Sequence, residues 1–417
     1  MKKFLLVLMA GLALSFTFTA CKGKKDQKVI RIGIIRPNHF GGKMIEKGST
    51  MAIEEINKTF VEKDGKTSGG ILGKKIEFVI INDENKADIG KVKLRKAIDS
   101  KKLDVIIGGW ASAAVLAEME VMADKKILWL GTGGAAPHVI KKIAKNYDRY
   151  KYYFRVGTID AIHQGIEGAN FIIDYIGPKF NKKKVALIGA DHKYSKFILG
   201  FSKKKLVKAG FEIVYENFLP TSTTDFSPVL SQIRQKKAEI VFQAWPTTES
   251  IIFSKQFYAQ KVPAILVGAV AESLKDEYFK ETNGSCVYEA GFSPQTGPAP
   301  ITDKTIPFAS KFKSKYGMSA GYIAYLAYDA VYILKEAAEK AKSLKSDDLV
   351  KIIETNEFKG NMWYDFNDKN HDLKMGIEGD KVYATFIWFQ WQPDGTRKAV
   401  YPEKFKQADF KLAPWIK

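Results

Sequence analysis

The sequence predicts an α/β protein made of two doubly wound, Rossmann-like lobes. Three observations lead there. Short Ile- and Val-rich runs alternate with amphipathic stretches from Val29 onward; this rhythm stops after Gly131 and restarts at Val185; and the apolar runs are continuous. Continuous runs suit parallel strands covered by helices on both faces, and two sets of similar size imply two lobes.

The elements follow in order. In the first set, strands are expected at 29–35, 76–81, 104–109 and 127–131, with helices near 43–58, 86–101 and 112–125 and Asn85 as N-cap of the second. In the second set, strands at 185–189, 212–215, 239–243 and 264–268 alternate with helices near 194–209, 225–236 and 247–260. Residues from about 300 to 355 read as helical, and the Tyr-rich stretch 322–334 is expected to pack on a sheet. The tail 381–392 alternates like antiparallel strands and closes with a Pro393-Asp394-Gly395 turn.

Composition narrows the function. The chain has 417 residues, 46% hydrophobic and 27% charged, which excludes a disordered chain and a multi-span membrane protein. Two cysteines and five scattered histidines argue against a disulfide scaffold, a thiolate zinc cluster and a His-rich metal site, so no metal and no cofactor is expected. The net charge is +20, yet only seven of the 66 basic residues are Arg. Nucleic-acid readers concentrate Arg, because its fork matches phosphates and guanine edges. Lysine spread along the whole chain reads instead as a solvated surface, with attraction to an anionic membrane as the lesser reading.

The first residues read as an address. Met1-Lys2-Lys3 precedes an apolar stretch that approaches membrane-spanning length, but the stretch ends in Phe18-Thr19-Ala20-Cys21 and a polar run. This resembles a bacterial lipobox. It implies a signal peptide over 1–20, lipidation of Cys21 and a linker over 21–27, hence an exported protein anchored on the periplasmic or cell-surface side of a bacterial membrane. Cys286, in an apolar context, is expected to be a core residue.

Several motifs in order then resemble one family. They are Ile-Arg-Ile-Gly-Ile-Ile at 30–35, Gly48 with Ala52-Ile53-Glu54-Glu55-Ile56-Asn57, Gly69-Gly70-Ile71-Leu72-Gly73, Asn82-Asp83, Val105-Ile106-Ile107-Gly108-Gly109, Gly131-Thr132-Gly133-Gly134-Ala135-Ala136-Pro137 and Phe154-Arg155-Val156, followed by Phe358-Lys359-Gly360 and Phe389-Gln390-Trp391. The chain resembles the substrate-binding proteins of ABC importers, in the type I periplasmic group that binds Leu/Ile/Val or amides. The resemblance implies two lobes joined by three hinge crossovers, near 154–158, 288–292 and 360–378. Lobe 1 would hold 28–155 and 291–360, and lobe 2 would hold 156–290 and 361–417. It also implies a small ligand, an amino acid or a related small carboxylate or amide, held between the lobes by hinge closure, and ABC permease subunits as partners.

The candidate ligand-binding residues sit at strand ends. Trp110-Ala111-Ser112-Ala113-Ala114 follows a strand and opens a helix, offering amide N–H groups and a hydroxyl to a carboxylate or carbonyl oxygen; Ser112 could equally be a plain N-cap. Gly133 and Ala135 lie in the next strand-end loop, where glycines allow close approach of the backbone. Its sequence lacks dinucleotide or phosphate-loop spacing. Trp110, Tyr194 and Trp245, with Phe40 in the first loop, are expected to wall an apolar pocket. The resemblance places the amino-acid binders' hydroxyl residues at Ala114 and Ala135, both without hydroxyls here, and their acidic ammonium partner near Glu272. An α-amino-acid clamp is thus incomplete, and Trp110-x-Ser112-Ala113 resembles the urea and short-amide members.

An enzyme is not expected, because no G-x-S-x-G elbow and no matched Cys/His pair occurs. Two other readings stand beside the importer receptor: an amide or urea sensor not coupled to transport, and a hydrolase on the same fold. The acidic run from Asp365 to Asp372 lacks the glycine and terminal glutamate of a calcium loop and reads as a hairpin turn.

Overall fold

The computed structural model describes residues 29–58, 69–157, 159–293, 299–367 and 369–417, so the expected signal segment and Cys21 lie outside the described residues. The first half alternates β1 (Val29–Ile35), α1 (Phe40–Lys58), β2 (Lys75–Ile81), α2 (Ala87–Lys101), β3 (Val105–Gly108), α3 (Ser112–Lys125), β4 (Leu128–Gly131), α4 (Pro137–Lys145), α5 (Tyr147–Tyr150) and β5 (Tyr153–Arg155). The rhythm resumes with α6 (Ala161–Phe171), α7 (Gly177–Phe180), β6 (Lys184–Ala190), α8 (Lys193–Lys208), β7 (Glu212–Leu219), α9 (Ser227–Gln235), β8 (Ile240–Trp245), α10 (Glu249–Ala259), β9 (Ile265–Val270), α11 (Tyr278–Glu281) and β10 (Ala290–Ser293). Helices α12 (Thr305–Tyr316), α13 (Tyr322–Ala341) and α14 (Ser346–Thr355) follow. Short strands β11 (Glu357–Lys359), β12 (Trp363–Asp365), β13 (Ile377–Glu378) and β14 (Lys381–Val382) lead to β15 (Ile387–Trp391) and β16 (Arg397–Tyr401).

Two sheets result. The first, ordered β2-β1-β3-β4-β5, is parallel throughout. The second, ordered β16-β15-β10-β9-β8-β6-β7, is parallel except at β15, which runs antiparallel to both neighbours. Strands β3 and β4 are buried at every position, as helices on both faces require. This is the predicted α/β architecture of two doubly wound lobes. Helix α13 lies along α1, and Ser346 Oγ, at the start of α14, accepts from Leu128 N at 3.1 Å, so the late helices return to the first sheet.

Three local expectations change. Residues 290–292, within the crossover expected at 288–292, belong to β10 and pair inside the second sheet. Helix α2 is not capped by Asn85, which is left-handed at φ 57°, with its N–H bonded to Asp83 Oδ1; its cap, Lys86, makes no side-chain capping bond. The run expected as a hairpin turn begins in β12, which pairs back with β11, and beyond Asp368, which lies outside the described residues, His371 and Asp372 meet the end of β5. The 393–395 turn does join β15 to β16, with Gly395 at φ 76°.

Candidate functional site: a cleft between two sets of strand ends

At the carboxyl edges of both sheets, strand-end loops face one another. This is where doubly wound sheets hold ligands. Residues 36–39, 109–111 and 132–136 come from the first sheet, and 191–192 and 271–277 from the second. Contacts span the gap: the Lys275 ammonium stands 5.3 Å from the centre of the Phe40 ring, and Ser319 N donates to Asp276 Oδ2 at 3.1 Å.

On the first rim, Trp110 is half-buried and meets His39 edge-on at 5.0 Å. Burial lowers the His39 pKa, favouring a neutral ring. The loops after β3 and β4 are laced together by Gly134 N donating to Trp110 O and Ala136 N donating to Ser112 Oγ, both at 2.9 Å. Ser112 is therefore a loop tie in the first turn of α3; the N-cap is Ala111, which has no side-chain oxygen. The first-turn amides thus keep no side-chain acceptor and remain suited to an anionic or carbonyl oxygen. Gly133 serves the approach of the two loops: a Cβ there would lie 2.3 Å from Gly109 O and 2.6 Å from Trp110 Cα. Ala113 is exposed, Ala114 is fully buried, and Ala135 O accepts from Ala161 N at 3.3 Å, linking this rim to α6.

On the second rim, half-buried Tyr194 donates its hydroxyl to Gln164 Oε1 at 2.6 Å, and Gln164 Nε2 donates to Ile159 O at 2.7 Å. Burial raises the Tyr194 pKa, so the hydroxyl stays protonated. Glu272 is buried and paired with Lys275, which neutralises it. Trp245 differs from the expectation: it is fully buried between Phe226 and Phe253, its Nε1 donating to Gln243 Oε1 at 2.8 Å, and so is a core residue. A strand-end aromatic can point to either face, and here the alternation along β8 places Trp245 with Val241 in the core cluster of that lobe.

Sequence reasoning passed over His39, Gln164 and Lys275, whose types carry no signal in a lysine-rich chain. It expected crossovers near 154–158 and 360–378 but missed the contacts that tie them together. Arg155, with 1% of its side chain exposed, donates Nε to Asp372 Oδ1 at 2.6 Å and Nη2 to Oδ2 at 2.5 Å, and Nη1 reaches Gly134 O at 3.3 Å. His371 stacks on Phe154 at 3.9 Å, its ring nitrogens 2.9 Å from Tyr153 O and 2.8 Å from Glu354 Oε1. Asp160 caps α6 through Ile162 N and His163 N and also holds the His163 ring; that hydrogen bond raises the His163 pKa.

Among the described residues, no three His, Cys, Asp or Glu side chains gather as a metal set, and no helix is long and apolar enough to cross a membrane. Residues 30–378 match the family described as "Periplasmic binding protein". The chain belongs to this family. Periplasmic binding proteins are exported, extracytoplasmic solute receptors. The "Leu/Ile/Val-binding protein homolog 8" of Brucella abortus (strain 2308) is 23% identical over 376 residues, 87% of each chain. A putative branched-chain amino acid ABC transporter protein from Silicibacter pomeroyi superposes with a TM-score of 0.81 at 19% identity, over 93% of this chain and 100% of that one. A solute binding protein from R. palustris, solved in complex with benzoate, superposes with a TM-score of 0.67 at 15% identity, over 93% and 99%.

Proposed function

We propose that this periplasmic binding protein captures a small organic acid or amide between its lobes by hinge closure and delivers it to the permease of an ABC importer, held at the membrane by lipid on Cys21. The observation that carries the reading is the pairing of uncapped α3 amides with half-buried aromatic walls at facing strand ends: one end suits an oxygen acceptor, the other an apolar body. Helix α3 offers its N-terminus, and Trp110, Phe40 and Tyr194 offer rings.

Within that class, a carboxylate or amide without an α-ammonium is favoured over a branched-chain amino acid. Ala114 and Ala135 offer no hydroxyl, and Glu272 spends its charge on Lys275. The amide or urea sensor remains the second reading, supported by the Trp110-x-Ser112-Ala113 pattern. A thermal-shift screen of the mature chain against amino acids, short amides with urea, and aromatic or aliphatic carboxylates tests this. Ligand at a hundred times its Kd adds about 2.7 kcal/mol. Shifts with carboxylates or amides alone support the reading; a shift with leucine or isoleucine alone overturns the preference. Turnover of an amide would move the chain to the hydrolases.

A further inference from the structure

We infer that the first lobe carries a second binding site, for a hard divalent cation, between the β2–α2 loop and α3, where Asp83 and Glu118 bring together buried carboxylate oxygens that no donor of the described chain reaches, with the unpartnered Asn85 amide oxygen on the same loop. Glu118 is fully buried on α3 and neither carboxylate oxygen has a hydrogen-bond partner. Asp83, also fully buried, accepts from Asn85 N through Oδ1 at 3.2 Å, while its Oδ2 has no partner. The Asn85 amide oxygen, on the same loop, is buried and unpartnered as well.

Gly90, in the first turn of α2, shows that the two acids converge. A Cβ built there would lie 2.3 Å from Glu118 Oε1 and 3.3 Å from Asp83 Cβ, so the Glu118 head occupies the space beside Gly90 and is aimed at Asp83. The Asp83 carboxylate is close enough for its charge to act on Glu118. Lys93 is the nearby cation, but its ammonium is bonded to Asn82 O at 3.0 Å and Glu84 Oε1 at 2.7 Å, outside the cluster.

With both acids ionised, the unmatched atoms are all acceptors, so their complement is a positive centre. An all-oxygen set of two carboxylates and an amide suits calcium or magnesium and offers nothing to metals that prefer nitrogen or sulfur. A divalent ion would hold both carboxylates ionised and displace any proton they share. Bound there, the ion would tie the β2–α2 loop to α3, apart from the Trp110 cleft, so the site does not rest on the ligand proposed above.

The test is titration of the chelator-treated mature chain with calcium and with magnesium at constant ionic strength, by calorimetry and by melting temperature, with terbium luminescence as a second readout. One saturable equivalent is expected, with a rise in Tm of several degrees. Binding should weaken at least tenfold in Glu118→Gln and in Asp83→Asn, and persist in Trp110→Ala. Absence of saturable binding to the unaltered chain overturns the proposal, whether or not the variants fold. Unchanged binding in both variants overturns it too.

Discussion

Asp372→Asn probes the hinge directly. Arg155 stands at the end of the first sheet and Asp372 in the last crossing of the chain, 217 residues apart, and the pair makes two charge-assisted hydrogen bonds of 2.5–2.6 Å. The substitution keeps the shape but removes the charge. It leaves a guanidinium with 1% of its side chain exposed facing Gly134 O at 3.3 Å and Asp160 Oδ2 at 3.9 Å. Breaking a buried pair from one side costs about 3–5 kcal/mol. Asp372 keeps 28% of its side-chain exposure, so solvent screening puts the expectation at the lower end, about 3 kcal/mol. At roughly 2–4 °C per kcal/mol the Tm should fall by about 6–12 °C. Chemical and thermal denaturation of both proteins measure this, with Glu339→Gln as control, since its pair with Lys335 is exposed and worth under about 1 kcal/mol. Arg155→Met with Asp372→Leu should recover much of the loss, because no charge is then stranded. A loss under about 1 kcal/mol for Asp372→Asn would refute the argument that this pair is desolvated in the hinge.

Other perturbations have equally definite expectations. Trp110→Ala should weaken the ligand found by the screen more than tenfold, about 1.4 kcal/mol, by calorimetry; unchanged affinity removes Trp110 from the site. Gly133→Ala should destabilise by about 1–3 kcal/mol because its methyl meets Gly109 O, whereas Gly200→Ala, inside α8 with nothing within 4 Å, should stabilise by about 0.5–1 kcal/mol. Burial raises the Glu289 carboxyl to about 7, against hydrogen bonds from Ser254, Tyr278 and Gln243 that lower it. The folded chain thus holds a proton the unfolded chain releases near 4.5, and stability falls by about 3 kcal/mol as pH rises from 4.5 past 7. Glu289→Gln should flatten that fall in denaturation at pH 5 and 8. Cys21→Ser should leave unprocessed precursor or release soluble protein; unchanged membrane partition would end the lipid-anchor reading.

The strand–helix rhythm, the two sets of elements and the 393–395 turn were legible because each depends on neighbours in sequence. Burial on both faces selects continuous Ile and Val runs, and a Pro-Asp-Gly turn needs only its own residues. The strand-end positions of Phe40, Trp110 and Tyr194 were legible for the same reason. The role of Ser112 was not, because its partner, Ala136 N, lies on another loop. Nor was the face taken by Trp245, which depends on where Phe226 and Phe253 pack. Local pattern thus determined the fold class and the ring of candidate loops. Only the tertiary structure decided that β10 stays in the second sheet, that Lys275 neutralises Glu272 and stands over Phe40, and that Arg155 meets Asp372. Those depend on charge pairing and desolvation between distant segments, and a residue's solvent and partners are set by the packed chain, not by its neighbours in sequence.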